Sequence, residues 1–510
     1  MTSSPFLPRL LLIYGVCIPV AIFVGYFLAT PLDLVPFVIF ALLVMLLGIP
    51  LLMRWHHPLL VFSWNAAMIV IVLPGQPYLW VPMAGVSFLF GLLDRILSKR
   101  ETFMNVASVV WPLVLLALII IFTAKTTGGV GFRSFGSTSY GGKRYVVMLA
   151  AILGFFAFVG RGVPIHLAPR YAALFFLSSV TAMLSNLAFA GGPALYFLYY
   201  VFPVDYALTQ AGATFAVTGN PVMRLTGLSV AAVGFFCFML VRYGILGVLD
   251  FSKPWRLLIV LAVTFVSLLG GFRSFAIVLG LLLLFQFFLE GLHTTKYLPV
   301  GIITAVLALS LLLPFASELP RAVQRSLSFI PFIQMDADTR RDADGSVDWR
   351  FRMWQALVPE VPKYLWIGKG FAINPTDLYL TEDGVKKGLR SDIEPALITG
   401  TYHNGPLTLL IAFGIPGALA FGLFLIGAGR ALYRNYRYSP TALRSINTFL
   451  LSYFLARAVY FVLFYGQIAE DLYLFTGVTG LSICLNGGVR SEGPVADQLA
   501  PELVAVGQPA

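Results

Sequence analysis

Charge is scarce in this chain. Only 11% of its 510 residues are Asp, Glu, Lys or Arg, 59% are hydrophobic, and the mean hydropathy is +0.87. An ordinary soluble domain is about 25% charged and about 45–50% apolar. One water-facing globule cannot hide this many apolar side chains. That excludes a soluble enzyme, a disordered protein and a nucleic-acid-binding domain, and no nucleic-acid partner is expected. Cysteine is nearly missing. Cys17, Cys237 and Cys484 each fall in an apolar run, so neither a disulfide framework nor a thiolate metal site can be read from them. Carboxylates are almost absent from the interiors of the apolar runs; Asp94, Asp250 and Glu290 fall at their ends. A proton- or sodium-coupled transporter normally needs a carboxylate near the bilayer midplane, so that class is disfavoured.

Long apolar runs fill most of the chain, and a spanning helix needs about 20 such residues. Fourteen candidates lie near 10–29, 34–53, 59–75, 77–94, 106–124, 145–160, 171–189, 225–243, 255–272, 274–291, 297–314, 405–427, 446–464 and 472–486. The expected fold is an all-α polytopic membrane protein with about 12–14 spans. No cleavable signal peptide is evident, so the first run reads as a retained span. Basic residues set the orientation. Arg430, Arg434, Arg437 and Arg444 crowd the short loop 428–445, which is therefore expected in the cytoplasm. Alternating outward from that loop places both termini inside and segment 315–404 outside. That segment holds 11 Lys/Arg and 12 Asp/Glu; the basic excess lies elsewhere, next to the membrane, where it suits anionic lipid. The expected organisation is spans over 1–314, a large external loop domain with amphipathic helices over 315–404, further spans over 405–487, and a disordered cytoplasmic tail over 488–510.

One histidine of five is expected outside. His403 lies in Tyr402-His403-Asn404-Gly405, where the long loop re-enters the membrane. An imidazole with an ordinary pKa near ~6.5 suits general-base work, and Asn404 is placed to hold a tautomer or donate a hydrogen bond. Arg273, in Gly270-Gly271-Phe272-Arg273-Ser274, sits at an external turn between two spans. Arg350 and Arg352 lie on an amphipathic helix before Pro359, and Arg350 shares a face with Trp354 at i,i+4. Gly368-Lys369-Gly370 forms a turn that could bind an anion. A guanidinium binds phosphate oxygens bidentately and stays charged, so one external base among several external arginines suggests a substrate with a diphosphate leaving group. No metal or other cofactor is required. The pairs Asp336/Asp338 and Asp342/Asp344 have Asp-x-Asp spacing, but within DADTRRDADGS they read as a solvated linker. Arg457 is a lone cation inside a run, either bonded within the protein or facing an anionic lipid headgroup.

In order and in expected side of the membrane, these pieces resemble the O-antigen ligase/O-antigen polymerase superfamily of bacterial inner-membrane glycosyltransferases. The matching stretches are GFRS at 271–274, RFRMWQALVPEVPKYLWIGKGF at 350–371 and YHNGPLTLLIAFGIPGALAFGLF at 402–424. Where the superfamily usually has Ser-Arg-x-Ala, this chain has Phe-Arg-Ser-Phe. The resemblance implies a multi-pass protein of the bacterial inner membrane with its active site facing the periplasm. It implies transfer of a glycan from undecaprenyl diphosphate to a lipid A-core or other hydroxyl acceptor. His403 would then be the base, and Arg350 and Arg273 would hold the diphosphate. Arg352 competes with Arg350, while Asn404, Trp354, Gly368 and Gly370 support the site. The residues do not separate a ligase from a polymerase joining undecaprenyl-linked repeats. A polysaccharide or lipid flippase is the reading from a different class.

Overall fold

The computed structural model describes residues 34–98, 104–129, 141–209 and 222–491, with a few isolated positions between 14 and 25. The expected span 10–29, and the expected tail from residue 492 onward, lie outside the described residues. The chain divides into two compact units, residues 1–56 and 57–510. The first contains most of helix α1 (Leu34–Asn65).

The second unit is helical throughout its described residues. It comprises α2 (Trp80–Ser98), α3 (Ala107–Thr127), α4 (Gly142–Val159), α5 (Ala168–Leu177), α6 (Met183–Gly191), α7 (Thr226–Val248), α8 (Trp255–Leu268), α9 (Arg273–Leu289) and α10 (Tyr297–Phe315). Then follow α11 (Arg321–Ser326), α12 (Ala337–Leu357), α13 (Pro375–Lys386), α14 (Glu394–Thr399), α15 (Gly405–Tyr438), α16 (Thr441–Leu463) and α17 (Ile468–Asn486). Eight helical segments among the described residues are long and apolar enough to cross a membrane: α3, α4, Ile165–Tyr200, α7, Tyr297–Glu318, α15, α16 and α17. Helices α8 and α9 are shorter apolar helices. The chain is a polytopic membrane protein.

Two expectations are corrected here. The run 59–75 is not a span: helix α1 ends at Asn65, and Pro74-Gly75-Gln76-Pro77 turns the chain back so that Ile69 bridges Tyr78. Proline removes a donor and fixes φ, so this tetrapeptide cannot continue a helix despite its apolar flanks. The Asp/Arg-rich stretch after residue 336 is not a linker either. It forms the first half of α12, with Asp336 as N-cap accepting from the Thr339 amide at 3.3 Å and Asp338 in the first turn.

The main core is aromatic. Trp64 lies against Phe158, Trp80 and Tyr473, and its indole donates to the Tyr473 carbonyl at 3.0 Å. Phe421, Phe454, Phe461 and Phe475 tie α15, α16 and α17 together. Polar groups also pair between these helices: Asn447 and Asn486 exchange amide hydrogen bonds of 2.9 and 2.8 Å. A second, smaller core of Met353, Leu357, Ala396, Tyr402 and Ile411 fastens α12 onto the segment that leads into α15.

Helices α7 and α15 are each broken at a glycine in the left-handed region, Gly244 (φ 64°) and Gly414 (φ 65°). Both breaks free backbone groups that other segments satisfy. Glu290 accepts from the Ile245 amide at 2.9 Å. At Gly414, the Leu365 carbonyl accepts from Ile415, while the Ile411 and Ala412 carbonyls accept from Lys369 and Gly370. By contrast α10 has no buried residue at all.

Candidate functional site

His403 is held where the loop turns into α15. Its φ is +52°, a left-handed conformation that costs a non-glycine residue strain and needs its surroundings to impose it. Those surroundings are visible on both sides. The Trp354 indole donates to the Tyr402 carbonyl at 2.8 Å, and the Trp349 indole donates to the Asp392 carbonyl at 3.2 Å. Asn404 caps α15, its side-chain carbonyl accepting from the Leu407 amide at 3.0 Å. Asn404 therefore serves the helix, and among the described residues it makes no hydrogen bond to the imidazole.

The His403 ring is sandwiched by aromatics, 5.6 Å from Trp349 and 5.1 Å from Tyr465 between ring centroids. Its Nδ1 is buried with no hydrogen-bond partner among the described residues. Burial, and then the charge of Arg350, push its pKa down to about 4. The imidazole is therefore uncharged at neutral pH. The Arg350 guanidinium lies 6.0 Å from the Tyr465 centroid, so one phenol ring is shared between the expected base and the expected cation. Burial holds the Tyr465 phenol above its ordinary value, which keeps it protonated.

The two competing arginines are in different situations. Arg352 is exposed and committed: it clasps Asp392 through two bonds of 2.9 and 3.1 Å and Asp348 at 3.0 Å. Arg350 has no ion pair among the described residues and faces the His403 cluster. Arg273 opens α9 and donates to the Ala343 carbonyl on α12, and it lies within electrostatic range of Arg350. Tyr460 of α16 also feels the Arg350 charge. His403, Arg350 and Arg273 thus form a connected series.

Gly368 and Gly370 have another task. Both adopt positive φ, and a Cβ on Gly368 would come within 2.3 Å of the Ala412 carbonyl oxygen. The amides of residues 368–371 all donate within the chain, to Tyr364, Ile411, Ala412 and the Tyr145 hydroxyl. An anion finds no free amide in this turn. Its role is to splice the loop onto the broken helix.

Several neighbours carry no sequence signal. Arg325 is buried, bonds Asp342 and the Gly271 carbonyl, and shares Asp342 with Arg224. This is where one of the Asp-x-Asp carboxylates goes: it neutralises guanidinium groups beside the Gly271 turn. Arg144 of α4 binds the Thr399 carbonyl and the Thr401 hydroxyl, steadying the chain just before His403. Arg457 is not a lone cation. It lies 5.4 Å over Tyr453 and within electrostatic range of Asp471.

Residues 257–422 match the O-antigen ligase family. The match covers these residues and not the rest of the chain. The ligase segment contains Arg273, Arg350, Arg352, Trp354, Gly368, Gly370, His403 and Asn404, whereas Tyr465, Arg224 and Arg144 lie beyond it. The match supports a function of the O-antigen ligase/polymerase type, which is glycosyltransferase-like chemistry. No curated protein matches the chain.

Proposed function

We propose that this protein transfers a glycan from undecaprenyl diphosphate to a hydroxyl acceptor, of lipid A-core type, at the periplasmic face of the bacterial inner membrane. The observation that carries the reading is the contact of one ring, Tyr465, with both an uncharged imidazole and a guanidinium that has no ion pair among the described residues.

In this reading, Arg350 and Arg273 bind the diphosphate oxygens and His403 takes the acceptor hydroxyl proton. The acceptor oxygen bonds to the anomeric carbon as the carbon–oxygen bond to phosphate breaks. Undecaprenyl diphosphate leaves with the bonding electrons, and fixed guanidinium groups stabilise the charge it acquires. A pKa of about 4 makes a weak base. Bound diphosphate cancels the Arg350 charge, the second cause of that depression, so the substrate itself raises the basicity of the imidazole. Direct attack inverts the anomeric configuration.

The test supplies purified protein with undecaprenyl-diphosphate glycan and an acceptor, and measures released undecaprenyl diphosphate. Release that requires a lipid A-core acceptor supports a ligase. Release with a second undecaprenyl-linked glycan as acceptor points to the polymerase, and movement of glycan with no bond cleavage refutes both.

A further inference from the structure

The end of α15 opposite His403 carries a second arrangement of arginines. Arg430 and Arg434 open onto a cleft of about 790 Å³ between the start of α3, the last turns of α15 and residues 487–489. Close packing sets its position: a Cβ on Gly427 would lie 2.0 Å from the Ser108 carbonyl oxygen, so α15 crosses the first turn of α3 one turn before Arg430. Arg434 donates its Nε to the Arg490 carbonyl at 3.1 Å, which fixes its direction and leaves its terminal amino groups without a partner among the described residues. Arg430 has no hydrogen bond or ion pair among them. Among the described residues no carboxylate lines the cleft.

The surface leading to this cleft is apolar. On α15, Leu419, Leu423 and Ile426 are 62%, 52% and 52% exposed, and they fall at i, i+4 and i+7 of a stripe whose next member is Arg430. On α3, Trp111, Leu115 and Leu118 are exposed with the same spacing. Both helices are of membrane-spanning length and composition, so both stripes face acyl chains. We propose that this cleft binds the phosphate headgroup of an anionic membrane phospholipid whose chains lie along the exposed faces of α3 and α15. Two guanidiniums with no acidic neighbour among the described residues favour an anionic headgroup over a zwitterionic one, since none of the described lining residues complements an ammonium group. The site is separate from the transfer chemistry and does not depend on it.

The experiment is native mass spectrometry of the full chain released from micelles with phosphatidylglycerol, phosphatidylethanolamine or inorganic phosphate. We expect selective phosphatidylglycerol adducts, reduced about tenfold or more in Arg430→Gln/Arg434→Gln, with Arg437→Gln close to wild type. Because Arg430 has no bond to lose, Arg430→Gln alone must also weaken the adduct several-fold, even if the double variant is poorly folded. Wild-type adducts in Arg430→Gln overturn the proposal. So does equal retention of phosphatidylethanolamine, or displacement of the lipid by millimolar inorganic phosphate, which marks a soluble-anion site instead.

Discussion

Two clusters of arginine flank α12, and they differ in what neutralises them. Near its first turns, Arg224 and Arg325 converge on Asp342. About two turns on, Arg350 faces Tyr465 and His403 with no ion pair among the described residues. A guanidinium beside a carboxylate is matched within the fold. One facing aromatic rings and a neutral imidazole retains its charge for a ligand. Composition cannot distinguish these cases, because both clusters read as Arg among Asp.

The comparison can be broken by substitution. The largest effect is expected for His403→Ala, which removes the base and should lower glycan transfer about 10²–10⁴-fold with the fold intact; near-wild-type turnover refutes the assignment. Arg325→Ala should act on stability instead. Asp342 is 43% exposed and keeps Arg224, so the main loss is the donor to the Gly271 carbonyl, about 1–3 kcal/mol, to be read as a lowered thermal midpoint in detergent. Arg350→Gln should weaken donor use about 10–100-fold, corresponding to one lost charge-assisted bond of about 1.5–3 kcal/mol, with little change in the midpoint. Arg352→Gln should alter kcat/KM by no more than a few-fold, since its carboxylate contacts are exposed. If Arg352→Gln proves the more damaging, the contrast between paired and unpaired arginines fails.

Acid titration sharpens the same contrast. Arg350 depresses the His403 pKa, so its removal must raise that pKa from about 4 toward the ordinary value, though only in part, because burial is the larger cause. The acid limb of the kcat/KM profile should therefore move to higher pH in Arg350→Gln and stay in place in Arg352→Gln. An unmoved limb in Arg350→Gln would separate the two groups.

Much of this was legible in the sequence. The apolar runs gave the helical membrane architecture, and His403 could be singled out because it alone among five histidines sits where a long polar loop meets a span. The choice between Arg350 and Arg352 could not be made there. It depends on Asp392, forty residues away and brought to Arg352 by the folding of α12 against α14. Tyr465 was equally hidden, since it lies beyond two spans and has no motif of its own. Asn404 was read for the wrong partner, because a polar residue before Gly-Pro is as good a helix cap as it is a catalytic neighbour. The run 59–75 has the hydrophobicity of a span, but Pro74 and Pro77 turn the chain there.

The break at Gly414 has a consequence for how the chain is assembled. A long apolar segment leaves the ribosome able to form one straight rod, and in lipid a bent rod with bare carbonyls is forbidden. The groups that cover those carbonyls belong to residues 365–370, made earlier in synthesis. The mould is thus in place before the casting, and it is the preceding loop that teaches the helix where to bend.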